Sequence, residues 1–305
     1  MNPLGACAVG GTRFPIDRYR TTELLGFDGL IYNSLDAVTS RDFVLETVGD
    51  LSILMANLSR IAEDVILWSS QEFGYLEVAD EYSSVSSAMP HKKNPCTVEL
   101  VRGKVGQIYG TLLNLLTIIK GIPSGYNRDL QVMKKPLMES FTIIADSLQI
   151  INGVFKTLKV NKSKLGASVE KSYAAALDLA EVLSVESDLS FREAHTLVGK
   201  IVLKFIKEKK KLKDIDAATV RILSQQHLGK DTQIDDRLLA QAVNPETCLA
   251  GKLSQGCPSP SEIKKLLAIH LKEISQCERI LQTREKGLQK AQNRLTSLIT
   301  QYTRE

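Results

Sequence analysis

Three long segments of this chain carry apolar side chains at alternating spacings of four and three residues. Such spacing places all the apolar side chains of a segment on one stripe of an α-helix. A stripe of this length must be buried against another apolar surface, so the three helices are expected to pack lengthwise against one another. The stripes are Val44, Val48, Leu51, Met55, Leu58, Ala62 and Val65; Val98, Val101, Val105, Ile108, Leu112, Leu115 and Ile119; and Leu137, Phe141, Ile144, Leu148, Ile151 and Phe155.

The strict apolar–polar alternation of β-strands is missing along the chain, which predicts an all-α long-helix bundle. A length of 305 residues is sufficient for two domains. We expect a central helical bundle domain over residues 1–160 and a smaller C-terminal helical domain with a tail over 161–305. After a break rich in Gly, Pro and Ser at Gly251–Pro260, one long polar helix or two in series should run from Ser261 to about Tyr302.

Composition narrows the class of protein. The chain is 43% hydrophobic and 24% charged, and its net charge of +4 is spread along the sequence, which favours a soluble protein that does not bind nucleic acid. The five cysteines form no CxxC pair and no metal-ligand spacing, which favours a reducing, cytoplasmic setting without a bound metal. No stretch approaches the roughly 18 apolar residues of a membrane span, so no membrane partner is expected.

A polar segment between the first two helices carries the clearest chemical signal. Four serines at positions 83, 84, 86 and 87 are followed by Lys92, Lys93 and the pair Asn94-Pro95. Asn94 is predicted to be the N-cap of the second long helix, with Pro95 as its first residue. Because free N–H groups at a helix N-terminus favour an anion, the segment is expected to bind a carboxylate.

A carboxylate held by Lys92, Asn94 and the helix end would gain stabilisation if the neighbouring carbon lost a proton. The cations beside Ser86 favour its alkoxide, so this serine could act as the base, and Glu99 could orient a histidine from elsewhere. Loss of a nitrogen leaving group would complete a β-elimination that needs no metal or cofactor. The residues alone also leave a phosphate site open, although the glycine spacing of a Walker loop is missing.

The link between the second and third long helices is longer and more polar than a turn requires. It runs from Gly121 to Gln131 and includes Tyr126, Asn127, Arg128 and Asp129. Polar loops on a rigid scaffold often carry function, but a solvated connection explains the composition equally well.

Several of these stretches resemble one enzyme family. Ser86–Pro95 resembles the signature loop of the fumarase/aspartase superfamily. Phe14–Arg18, Leu25–Gly29 and Tyr126–Gln131 narrow the resemblance to the argininosuccinate lyases, and Phe191–His195 extends it into the second domain. The likeness runs from the first residue to about Pro260.

The resemblance implies cleavage of argininosuccinate to arginine and fumarate without a cofactor. It also implies a homotetramer whose active sites draw on several subunits. In that family, the proton-abstracting serine falls on Ser86 and the glutamate that pairs with a catalytic histidine falls on Glu99. The positions that bind the substrate carboxylate fall on Lys92 and Asn94. The residues that hold the rest of the substrate fall on Tyr126, Gln131 and Lys134.

Three departures from the family pattern matter. Val85 replaces the glycine before the serine pair, which should stiffen the loop. Val132 and Met133 replace an acidic pair, which should loosen the placement of Lys134. The family's N-terminal part, with its partner histidine, has no counterpart here, since none of the four histidines lies in its motif. We therefore expect the chain to be inactive or nearly inactive alone, and to need an upstream N-terminal polypeptide. The histidines are His91, His195, His227 and His270.

Three other functions stay open at this point. Adenylosuccinate lyase is favoured by Ala88 and His91 but opposed by the motifs at 14–18, 25–29 and 126–131. A non-catalytic helical assembly protein of the same fold is favoured by Val85 and by the missing N-terminal part. A coiled-coil scaffold is opposed by the polar interruptions at 69–97 and 121–131.

Overall fold

The structure, a computed structural model, describes residues 1–85, Met89 and 93–303. Its elements confirm the all-α class. The helices are α1 (Arg18–Leu24), α2 (Ser34–Thr39), α3 (Asp42–Ser69), α4 (Cys96–Ile119), α5 (Lys134–Thr157), α6 (Lys162–Lys171), α7 (Ala176–Glu186), α8 (Phe191–Glu208), α9 (Ala217–Leu228), α10 (Asp236–Ala242), α11 (Pro245–Ala250) and α12 (Pro260–Tyr302). Two-residue strands are β1 (Leu76–Glu77), β2 (Ser84–Val85), β3 (Lys93–Asn94) and β4 (Lys159–Val160), and 3-10 turns cover Asp80–Tyr82, Arg128–Met133 and Leu212–Asp214.

Helices α3, α4 and α5 pack side by side in antiparallel order. Near one end of the bundle, Val48 at the start of α3 packs with Leu115 at the end of α4. Near the other end, Val98 at the start of α4 packs with Val154 at the end of α5. The loop between α4 and α5 therefore lies at the opposite end of the bundle from the serine-rich segment that precedes α4.

Two of the three predicted stripes form the bundle core. In α3 every member except Leu51 is buried, and in α4 every member except Leu112 and Ile119, which are half-buried. The predicted stripe of α5 is partly wrong, because Phe141, Leu148 and Phe155 are 46%, 42% and 55% exposed. The buried face of α5 is Ser140, Ile144, Ser147, Ile151 and Val154.

Two serines explain this difference. The hydroxyls of Ser140 and Ser147 donate to the carbonyls of Pro136 and Ile143 in their own helix, at 2.8 and 2.6 Å. A hydroxyl satisfied in this way can be buried without an unpaired donor. Small serine side chains then face the core of the bundle, and the large aromatic side chains of α5 face outward.

The chain divides into two compact units. The first contains Met1–Asn161 and the part of α12 from Arg279 onward, and the second contains Lys162–Glu278. In the second unit, α7 and α8 enclose a core that includes Leu183, Leu197 and Phe205. Helix α12 is one continuous helix, and none of its residues is buried. No helix among the described residues has both the length and the apolar character needed to cross a membrane.

A capping box begins α8 in the second unit. The Ser190 hydroxyl accepts the Glu193 N–H, and the Glu193 carboxylate accepts the Ser190 N–H at 2.9 Å. Lys230 lies 2.9 Å from the same carboxylate. The hydrogen bond from Lys230, followed by those from Ser190, lowers the pKa of Glu193 to about 2.

Candidate functional site

A short antiparallel hairpin forms the base of the serine-rich loop. Ser84 pairs with Asn94, and Val85 pairs with Lys93. Two of the predicted site residues, Ser86 and Lys92, lie outside the described residues, as do Ser87, Ala88 and His91. The residues on either side of the loop, Val85 at the end of β2 and Lys93 at the start of β3, therefore pair with each other.

Asn94 is not the N-cap of the second long helix, so that prediction is wrong. Asn94 lies in β3, and α4 begins at Cys96 with Pro95 in the capping position at φ −76° and ψ 54°. The Pro95 carbonyl accepts the N–H groups of Val98 and Glu99 at 3.1 and 3.0 Å. Strand pairing with Ser84 holds Asn94 in an extended conformation, and no local sequence signal announces that long-range partner.

Lys93, the second lysine of the loop, is held by acidic residues on the preceding segment. Its ammonium lies 3.1 Å from the Glu77 carboxylate and also pairs with Asp80. The hydrogen bond between Lys93 and Asp80 lowers the pKa of Asp80 and raises the pKa of Lys93. Lys93 is therefore engaged in local ion pairs, whereas Lys92 lies outside the described residues.

Tyr82 fixes the same segment to the bundle. Its backbone carbonyl accepts the Thr97 hydroxyl of α4 at 2.7 Å. Its ring lies against the backbone of Gly153 in α5, and a Cβ at Gly153 would overlap the phenol oxygen. Sequence reasoning missed both contacts, although a glycine inside an otherwise helical pattern is a recognised sign of close packing.

Glu99 and Asn94 stand at the start of α4. Glu99 is exposed in the first turn of the helix, and Asn94 is half-buried. Among the described residues, neither side chain has a hydrogen-bond partner.

The second polar loop brings two predicted substrate-binding residues together. Gln131 lies on the 3-10 turn Arg128–Met133, and its side-chain amide donates to the Tyr126 hydroxyl. Tyr126 is 50% exposed, so the pair stands at the surface. A phenol and a carboxamide in contact offer both donor and acceptor groups to a polar ligand.

Lys134 follows as the first residue of α5 and is exposed. Met133, directly before it, is 2% exposed and packs with Val48 and Leu115. The buried Met133 side chain anchors the backbone next to Lys134, and the expected loosening of the lysine side chain stays a prediction. Val132 is 60% exposed and contributes nothing to that anchor.

The two groups of candidate residues lie at opposite ends of α4. Asn94 and Glu99 stand at its start, and Tyr126, Gln131 and Lys134 follow its end. A helix of 24 residues is about 36 Å long, which is far more than one small substrate can span. The structure brings Tyr126 and Gln131 together, but it does not bring this pair near Asn94 within one chain. Among the described residues, no three His, Cys, Asp or Glu side chains converge as metal ligands would.

Comparison with known proteins shows which enzymes the chain resembles. The sequence profile of a family described as "Lyase" matches residues 1–110, and the profile described as "Argininosuccinate lyase C-terminal" matches residues 173–250. The chain is also 42% identical over 276 residues to the argininosuccinate lyase of Staphylococcus aureus strain JH9. Over most of its length the chain is thus similar to the argininosuccinate lyases. Its match covers 90% of this chain and 58% of the length of that relative, and the same figures hold for the protein of strain Newman.

Solved structures of two lyases have a similar fold. An EDDS lyase variant with bound fumarate has a TM-score of 0.90 and 29% identity, and the match covers 98% of this chain and 60% of that chain. The class II fumarase of Schistosoma mansoni has a TM-score of 0.60 at 19% identity, with 82% of this chain and 53% of that chain covered. The fumarase match concerns the fold alone.

Proposed function

We propose that this chain carries argininosuccinate lyase function, the β-elimination of fumarate from argininosuccinate to give arginine. The observation that carries the proposal is the 42% identity to argininosuccinate lyase over 276 of 305 residues. The unmatched residues are too few to reach from either end of the chain to the loops at 83–95 and 121–134. Both loops therefore lie inside the matched region. Identity to EDDS lyase is lower, at 29%, and we therefore propose argininosuccinate rather than EDDS as the substrate.

The hairpin loop is proposed to carry out the chemical step. Ser86 abstracts the proton beside a substrate carboxylate, and Lys92 and Asn94 bind that carboxylate. Negative charge that develops on the carboxylate is stabilised by these fixed donors. Support comes from the pairing of Val85 with Lys93, the residues that flank Ser86 and Lys92 in the chain. Glu99, one turn into α4, is proposed to orient a catalytic histidine supplied by another polypeptide.

The loop between α4 and α5 is proposed to hold the rest of the substrate. Tyr126, Gln131 and Lys134 supply a phenol, a carboxamide and an ammonium, which suit the polar groups of an amino-acid substrate. The contact between Gln131 and Tyr126 and the buried neighbour of Lys134 support this assignment. Binding by groups remote from the reacting carbon orients the substrate for the elimination.

We propose the homotetramer that the resemblance implies, and the distance between the loops supports a site shared between copies. Since one chain holds them at opposite ends of α4, a complete site requires loops from different copies. The outward face of the bundle offers apolar surface for such contacts, which a monomer would rarely expose. Exposed members of that face are Leu113, Leu116, Phe141, Leu148 and Phe155.

The partner histidine and the rest of the site are proposed to come from an upstream N-terminal polypeptide equivalent to the part of the relatives that this chain does not match. Since all five cysteines are free, we place the enzyme in the reducing cytoplasm.

Fumarate absorbance tests the proposal. The chain is assayed alone and joined to the N-terminal part of the Staphylococcus aureus relative, with argininosuccinate and separately with adenylosuccinate. The joined protein should release fumarate from argininosuccinate, and Ser86→Ala should abolish the release. Fumarate from adenylosuccinate instead would support the adenylosuccinate lyase alternative. No release from either substrate would support a non-catalytic assembly protein of the same fold.

A further inference from the structure

Thr39, the last residue of α2, makes a hydrogen bond to a loop far away in sequence. Its hydroxyl oxygen accepts the N–H of Gly125 at 3.0 Å, across 86 positions of the chain. The same hydroxyl donates to the carbonyl of Leu35 in its own helix at 2.8 Å. The hydroxyl therefore acts as a donor, which fixes its own rotamer, and as an acceptor, which holds Gly125.

Gly125 is the point where the second polar loop meets the bundle. It is buried, and its φ of +105° is one that favours glycine. A Cβ at this residue would lie 3.8 Å from the Leu35 side chain, so the loop also packs on α2. The Gly125 carbonyl accepts the side-chain amide of Asn127 at 3.2 Å. Both backbone polar groups of Gly125 are therefore satisfied, one from α2 and one from within the loop.

Tyr126 lies between Gly125 and Asn127, which are joined by this hydrogen bond. Its phenol accepts the side-chain amide of Gln131, and both side chains are exposed. The backbone on the N-terminal side of Tyr126 is held to the bundle by a side chain of another element, and that side chain is Thr39. Loss of this bond would let the loop shift while the helices stay in place.

We propose that Thr39 is a positioning residue for substrate binding, because it fixes the backbone from which Tyr126 reaches the substrate. The inference rests on the proposed lyase function and extends it to a residue outside both polar loops. Thr39 acts through Gly125 and does not touch the substrate.

Three substitutions separate positioning from a general structural effect. Thr39→Val keeps the shape and removes the hydroxyl, and Thr39→Ser restores the hydroxyl. Thr47→Val is the matched control, because the Thr47 hydroxyl also donates to its own helix, at 2.6 Å to Phe43, but makes no bond to a distant loop. Each protein, joined to the N-terminal part of the relative, is assayed for KM and kcat with argininosuccinate. Hydrogen exchange of the amides in residues 121–131 is followed in parallel.

Thr39→Val should raise KM about fivefold, the effect of one lost hydrogen bond, while kcat changes less. The amides of the 121–131 loop should exchange faster in the same variant. Thr39→Ser should return both quantities to within about twofold of the unsubstituted protein, and Thr47→Val should change neither.

If the joined protein is active but Thr39→Val changes neither KM nor the exchange of the loop amides, the inference is wrong and the proposed function still stands. Equal losses in Thr39→Val and Thr39→Ser would also overturn it, because the hydroxyl would then be irrelevant. An unsubstituted protein that releases no fumarate would contradict the proposed function, and the inference would fall with it.

Discussion

Asn94 and Tyr126 lie at opposite ends of helix α4, whose 24 residues separate them by about 36 Å. Both belong to stretches that resemble the substrate-binding loops of one lyase family. The rigid bundle of α3, α4 and α5 prevents the two residues of one chain from meeting. We therefore propose that a working site combines Asn94 of one copy with Tyr126 of another.

Gly153→Ala should destabilise the first unit. The added Cβ would overlap the ring of Tyr82, and overpacking of this kind costs about 1–3 kcal/mol. Urea unfolding measures the loss, and Tyr82→Phe in the same protein should recover part of it by removing the phenol oxygen. Gly103→Ala is the control, because nothing lies within 4 Å of its Cβ position. That control should be neutral or stabilising by up to about 1 kcal/mol, and equal destabilisation by both variants would refute the contact.

The two lysines of the serine-rich loop should respond differently to substitution. Lys93→Met should lower kcat/KM less than about fivefold and should change stability little, because exposed ion pairs contribute little. Lys92→Met should lower kcat/KM by well over tenfold, since a charged hydrogen bond to substrate contributes about 1.5–3 kcal/mol. Steady-state kinetics of both variants check this, and equal losses would contradict the separate roles assigned to them.

The capping box of α8 should make the second unit sensitive to acid. The pKa of Glu193 is lowered from 4.5 to about 2 by Lys230 and Ser190. A lowered folded-state pKa contributes stability above pH 4.5, and that contribution is lost as the pH falls towards 2. The melting temperature should therefore fall less steeply in Glu193→Gln than in the parent across this window. Parallel curves for the two proteins would show that Glu193 does not contribute.

The sequence predicted the bundle well where large apolar residues define the buried face. In α3 and α4 the core consists mainly of valine, leucine, isoleucine and methionine, with Ser52 and Ala62 besides, so a count of apolar positions finds most of it. In α5 the same count selected Phe141 and Leu148, although Ser140 and Ser147 face the core. A buried serine that bonds to its own helix looks polar in sequence and behaves as a small core residue.

The candidate site was predictable only as a set of residue types. The motif identified Tyr126 and Gln131, and the structure places them in contact. The bonds that set their positions join residues distant in sequence, such as Thr39 with Gly125 and Ser84 with Asn94. No local pattern encodes these pairings, which is why Asn94 was misplaced at a helix cap and Thr39 was not identified.

Mixing two inactive variants tests most directly whether the site is shared between copies. Ser86→Ala and Tyr126→Ala proteins, each joined to the N-terminal part of the relative, are unfolded together and refolded as mixed assemblies. Each variant refolded alone is the control. Fumarate release should be near zero for each variant and should reappear in the mixture, because some sites then combine an intact Ser86 with an intact Tyr126 from different chains. A mixture as inactive as its components, with mixed assemblies demonstrated by mass, would contradict a site built from both ends of the bundle.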